Sequence, residues 1–190
     1  MQKTIEEFDS ASITNFGIKF KGEEEAQSFG CVGQIEGETE MLTKIKKCEG
    51  LEVKSKSKPH KMTLKINAHV KVDPLRKIFG LSNEGLKPGV YAYGSDSKGT
   101  DFVLTADVVD DFEDLTKLIA FPNCSSSTGL TLSIENGADE VAELEMEFTA
   151  MIDDNKKCYY EALIEELEDE EVAENWRKNF SADLVKVTTP

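Results

Sequence analysis

Apolar and polar residues alternate most regularly over residues 62–72, where Met62, Leu64, Ile66, Ala68, Val70 and Val72 are separated by Thr63, Lys65, Asn67, His69 and Lys71. A period of two sends successive side chains to opposite faces of a strand, so this segment predicts one face for a core and one for water. Residues 141–152 repeat the pattern: Leu144, Met146, Phe148, Ala150 and Ile152 alternate with Glu143, Glu145, Glu147 and Thr149, which makes the second face acidic. Shorter strands are predicted at 14–20, 29–35, 41–48, 90–93, 102–109, 115–121, 157–163 and 184–187. The turn residues 153–156 make 157–163 the expected hairpin partner of the acidic strand.

The interruptions carry as much information. Residues 54–59, Lys-Ser-Lys-Ser-Lys-Pro, read as an exposed loop, because like charges repel and proline removes a ladder donor. A projecting loop or arm around 48–61 is the consequence. At the end of the long strand, Asp73 suits a helix N-cap, Pro74 the first helical position and Gly80 the stop of a short helix. Residues 123–129, with Asn123, Ser125, Ser126 and Ser127, form a polar loop expected to be mobile or ordered only by a partner. Leu167, Val172, Trp176 and Phe180 fit an amphipathic helix. The single tryptophan, Trp176, is either a core anchor of that helix or a subunit contact, with core packing favoured about two to one. About ten short strands with one or two short flanking helices predict a mainly β domain, a sandwich or barrel-like fold, over residues 1–190 as one unit.

Composition narrows the function classes. Apolar residues make up 39% and charged residues 31% of the 190 residues, which suits a folded domain. The net charge of −15 argues against tight wrapping of nucleic acid, since phosphate binding depends on Lys and Arg. It leaves room for DNA that must slide past. The charge is uneven: Lys44, Lys46, Lys47, Lys54, Lys56, Lys58, Lys61 and Lys65 crowd one segment, and carboxylates dominate 161–174. Residues 1–7 have no apolar signal region and no stretch approaches a span of ~18 apolar residues, so synthesis in the cytosol and no membrane partner are expected.

Reactive chemistry is sparse. His60 and His69 are the only histidines, one in the lysine-rich segment and one on a polar strand face, and solvated side chains outweigh a catalytic base there. Cys31, Cys48, Cys124 and Cys158 have no metal-ligand spacing and are expected to be buried or half-buried free thiols. The acidic run Asp107, Asp110, Asp111, Glu113, Asp114 lacks the glycine and closing carboxylate of a calcium loop, so a solvated hairpin turn is favoured. Glu143, Glu145 and Glu147 share a face as paired catalytic carboxylates would, yet any acidic solvent-facing strand shows the same spacing. No enzymatic activity, cofactor or metal is expected.

From Met62 onward the order of features resembles the major tail protein, or tail tube protein, of long-tailed bacteriophages. The stretches that carry the resemblance are residues 65–80, where a strand runs into a helix, the strand residues 101–107, residues 116–122 and the long strand 143–150. The resemblance implies a β-sandwich flanked by a helix, subunits joined in homohexameric rings, and rings stacked into a tube in the virion tail through which double-stranded DNA is ejected. It also implies tape-measure and terminator proteins as partners, and the family brings no catalytic residues. Within that frame Glu143, Glu145 and Glu147 are expected to face the lumen, with a neighbouring-ring contact the alternative. Lys54, Lys56, Lys58, Asn123, Ser125, Ser126 and Ser127 are expected between subunits or rings. The competing class is a monomeric β-sandwich binding module of a virion or cell surface.

Overall fold

The sheet is assembled by antiparallel neighbours and closed by a bend in one strand-like run of chain. In the computed structural model, which describes residues 5–134, 136–137 and 141–187, β1 (Ser12–Phe20) carries β2 (Gln27–Ser28) on one side. The order continues from β1 to β5 (Phe102–Asp110), β6 (Leu115–Ser126), β7 (Leu144–Met151), β4 (Leu51–Val70) and β3 (Gly30–Cys48). Only Phe29 separates β2 from β3, so one stretch of backbone holds both ends of this order. The Phe29 N–H donates to the Phe16 carbonyl at 3.1 Å, and its own carbonyl accepts from the Lys71 N–H at 2.9 Å. Gly30 permits the bend: its φ is 143°, and a Cβ there would overlap the His69 carbonyl oxygen. The fold is therefore mainly β and barrel-like, with two short helices.

Register explains why the two alternating segments were recognisable. β4 and β7 pair Leu64 with Phe148, Ile66 with Met146 and Ala68 with Leu144, and this shared face is buried. Phe16, Ile18, Phe20, Phe29, Phe102 and Leu104 meet it across the interior. The phenyl rings pack edge to face, with centroids 4.9 Å apart for Phe16 and Phe29 and 5.1 Å for Phe102 and Phe148. Each fully buried side chain of this size contributes about 1.5–3 kcal/mol of transfer free energy. α1 (Val72–Phe79) adds Ile78 and Phe79 to the same core and ends where Gly80 takes a left-handed conformation and donates its N–H to Arg76.

A second, smaller core lies on the other face of β6. Leu118 and Ala120 pack there against Ala173 and Trp176 of α2 (Glu170–Asn179) and against Phe180 just past its end. The Trp176 indole N–H donates to the Ile119 carbonyl at 3.1 Å, so this side chain is a core anchor of the helix. Asp169 caps α2 by accepting from the Glu171 N–H at 2.9 Å.

Several sequence expectations change. The predicted strands 29–35 and 41–48 merge, from Gly30 onward, into one continuous strand, β3, and the lysine run 54–59 lies within β4 rather than in a loop. Paired with β3, the backbone groups of that run make ladder bonds a free loop would leave to water. Asp73 sits inside α1, where it pairs with Lys77 at 2.9 Å, and Lys71 occupies the N-cap position without a side-chain bond. The strand after the 153–156 turn, β8 (Tyr160–Leu163), pairs with β6 and not with β7, because β4 and β6 already flank β7. Residues 123–126 complete β6 instead of forming a loop. Residues 90–93 contribute a single bridge, Ser82 to Ala92, and 184–187 are turn and coil.

Candidate assembly surface

β4 outruns its neighbour. The pair Lys61–Met151 is the last contact with β7, and beyond it β3 and β4 continue as a two-stranded ribbon. Residues 36–59 are all exposed. From Glu40 to Cys48 the ribbon extends about 27 Å at the usual rise of a strand. A two-residue turn closes it, with Glu49 at φ 52° and Gly50 at φ 81°, the backbone of a type I′ hairpin.

Cross-strand register divides this arm into two faces. Leu42 is opposite Lys58, Lys44 opposite Lys56 and Lys46 opposite Lys54. Residues directly opposite share a face, so Lys44, Lys46, Lys54, Lys56 and Lys58 form a ladder of ammonium groups around Leu42. The intervening pairs are Met41 with Pro59, Thr43 with Ser57 and Ile45 with Ser55, and the Thr43 and Ser57 hydroxyls bond at 2.7 Å. Register shifts place His60 and Val53 as extra residues on β4. Met41, Ile45, Leu51 and Val53 are 48%, 47%, 73% and 51% exposed, an apolar content with no core beneath it.

At the base of the arm the outward face is acidic and only partly compensated. Glu145 is opposite Asn67, whose amide donates to Gln34 at 3.4 Å, and Gln34 in turn donates to Glu36 at 2.8 Å. Lys65 stands in register between Glu147 on β7 and Glu36 on β3. Lys61 pairs with Glu40 at 3.1 Å. Glu143 lies just before β7, with its carboxylate over the bare Cα of Gly33.

The residues singled out from sequence fall into two sets. Glu145 and Glu147 share the β7 region with the end of β6: the Ser127 N–H donates to the Glu147 carbonyl at 3.0 Å, and the Ser127 and Thr149 hydroxyls bond at 2.6 Å. Asn123, Ser125 and Ser126 belong to β6, and the Asn123 amide donates to the Ile152 carbonyl at 3.3 Å. Lys54, Lys56 and Lys58 stand apart, on the arm beyond the reach of β7. The apolar arm residues Met41, Leu42 and Ile45 escaped the sequence reading, since a strand with apolar positions at 41–48 looks like a core strand until its partners are known.

Elsewhere the ionisable groups hold structure. Asp110 is buried at the turn between β5 and β6 and accepts backbone N–H bonds from Asp9 at 2.8 Å, Phe112 at 2.9 Å and Glu113 at 3.3 Å. These bonds, the one from Asp9 foremost, hold its carboxyl below the usual carboxylate range. The buried Asp107 accepts from the Arg177 guanidinium at 3.0 Å and from the Asn15 amide at 2.6 Å. Cys124 is buried and its thiol pushed up by desolvation, but Cys31 and Cys48 are exposed, contrary to expectation, because both sit on β3 where no layer covers them. Among the described residues no group of three or more His, Cys, Asp and Glu side chains is placed to hold a metal ion, and no helix is long and apolar enough to cross a membrane.

No family model matches the sequence, and no curated protein matches it. Among solved structures, the chain is similar to one described as the cryo-EM structure of the anti-feeding prophage cap, the AFP tube terminating cap. The TM-score is 0.44 at 7% sequence identity, over 84% of this chain and 95% of that one.

Proposed function

We propose that this chain is a structural protein of a phage-type tail, a subunit that forms hexameric rings and stacks them into a tube for DNA ejection. The observation that carries this reading is the arm. A two-stranded ribbon of this length is marginal on its own in water, and this one exposes both strand edges together with Met41, Ile45 and Val53. Such a feature gains stability when a second surface covers it. A head-to-tail ring or stack needs two different complementary surfaces on every subunit, and a projecting arm with a distinct body supplies them. The sequence resemblance from residue 62 onward supports the tail tube as the form of that assembly, with the virion tail as its location and tape-measure and terminator proteins at its ends. In this reading Glu143, Glu145 and Glu147 face the lumen, where a carboxylate-bearing wall repels duplex DNA and lets it slide.

Size-exclusion chromatography and negative-stain microscopy of the purified chain over a range of concentrations test the reading. Rings or tubes are the expected result. A particle that stays monomeric at every concentration and ionic strength would reject it and favour the monomeric binding module.

A further inference from the structure

We infer that the lysine face of the arm docks on the carboxylate ridge that opens α2 in a second copy of this chain, an inference that rests on the assembly reading above. The first ground is an unbalanced charge. Lys44 faces Lys56 and Lys46 faces Lys54 directly across the ribbon, an arrangement that destabilises a free hairpin. Among the described residues no ion pair involves any of the five ladder lysines. Lys61 at the base, by contrast, has its carboxylate, and Lys65 stands between two in register.

The second ground is the matching deficit on the body. Glu168, Glu170 and Glu171 are exposed, and among the described residues none has an ion pair, while Glu174 reaches only Lys178 of its own helix at 3.7 Å. The acidic face of β3, β4 and β7 is the less favoured counterpart, because Lys61 pairs there with Glu40 and Lys65 stands between Glu36 and Glu147, so part of its charge is already engaged. The spacings also agree. Lys54, Lys56 and Lys58 recur about every 6.7 Å along β4, and Glu170 and Glu171 each lie about one helical turn, about 5–6 Å, from Glu174. Flexible lysine stems absorb the difference.

The third ground is topological. The arm leaves the barrel from β3 and β4, whereas α2 lies on β6 beyond β7, and among the described residues no ion pair joins the two within a chain. The lysines and the glutamates therefore meet only between copies. Because both surfaces belong to every subunit, each copy gives one and receives one, which propagates an assembly head to tail. Duplex DNA is the less favoured occupant, since a chain of net charge −15 repels phosphate over most of its surface.

Reciprocal charge reversal in the full-length chain separates these outcomes. One variant carries Lys54→Glu, Lys56→Glu and Lys58→Glu; the other carries Glu168→Lys, Glu170→Lys and Glu171→Lys. Each alone should raise the concentration for half-assembly in sedimentation by about tenfold or more, from three exposed pairs replaced by repulsion. An equimolar mixture of the two should assemble again, as should one chain carrying all six changes. All the substituted positions are exposed, and recovery in the mixture shows that both variants are folded. Wild-type assembly that survives the ridge reversal, or no recovery in the mixture, overturns the inference and leaves the assembly reading standing. Retardation of duplex DNA by the wild-type chain at physiological salt, lost in the arm variant, would assign the ladder to phosphate instead. A wild-type chain that never associates removes the assembly reading itself.

Discussion

At the scale of single residues, most of the informative positions hold backbone rather than chemistry. Gly30 is the clearest: its φ lies where side chains are strained, and the site of its missing Cβ is filled by the His69 carbonyl. Gly30→Ala is expected to cost about 3 kcal/mol or more, combining backbone strain with overpacking, and thermal or urea unfolding measures it. Asp110 makes the stability depend on acidity. Its folded carboxyl is held down by three backbone donors, so its contribution is complete above the ordinary carboxylate range and is lost as pH falls through the lowered folded value. Asp110→Asn should be less stable than the wild type at neutral pH, with the gap narrowing toward strongly acidic pH in parallel urea melts. A gap that does not narrow would show that its ionisation contributes nothing. Neither residue can be read in the sequence as critical, because a glycine in a strand or an aspartate in a turn acquires its role from a segment far along the chain.

At the scale of elements, the sequence is transparent where a segment has one wet and one dry face. β7 and the inner half of β4 alternate because the interior imposes a period of two, and α2 shows its buried stripe through Trp176 and Phe180. The outer half of β4 gives no such signal. Lys54, Ser55, Lys56, Ser57 and Lys58 are wet on both faces, so the run reads as a loop even though each residue has a strand partner. The acidic strand 141–152 revealed its own faces but not its neighbour, since β8 crosses to β6. Because no residue of 41–58 belongs to either core, replacing that stretch with a short turn should leave the unfolding free energy of the barrel within about 0.5 kcal/mol of wild type. The same deletion should leave monomers or isolated rings in electron micrographs, and tubes of normal length would refute the role given to the arm.

At the scale of the whole molecule, the charges are sorted rather than mixed: a cationic ribbon, an acidic sheet face that Lys61 and Lys65 partly compensate, and a ridge at α2 whose one ion pair among the described residues is Glu174 with Lys178. Burial alone could not reveal this sorting in the sequence, because lysine and glutamate are exposed almost everywhere and only register tells which of them share a face. The lumen assignment belongs to this scale. Glu143→Lys, Glu145→Lys and Glu147→Lys together should leave tubes intact but make them retain duplex DNA in a co-sedimentation assay where wild-type tubes do not. Equal retention by both would withdraw that assignment.

The turn at Glu49 and Gly50 lies as far from the cores as the ribbon allows, with exposed chain on either side. The residues that build the two cores and the residues that carry this tip are thus different stretches of one polypeptide. A lineage of such proteins is free to rewrite the tip without renegotiating the barrel, and a foreign peptide spliced between these two residues would be displayed at the extremity of a molecule that still closes on itself.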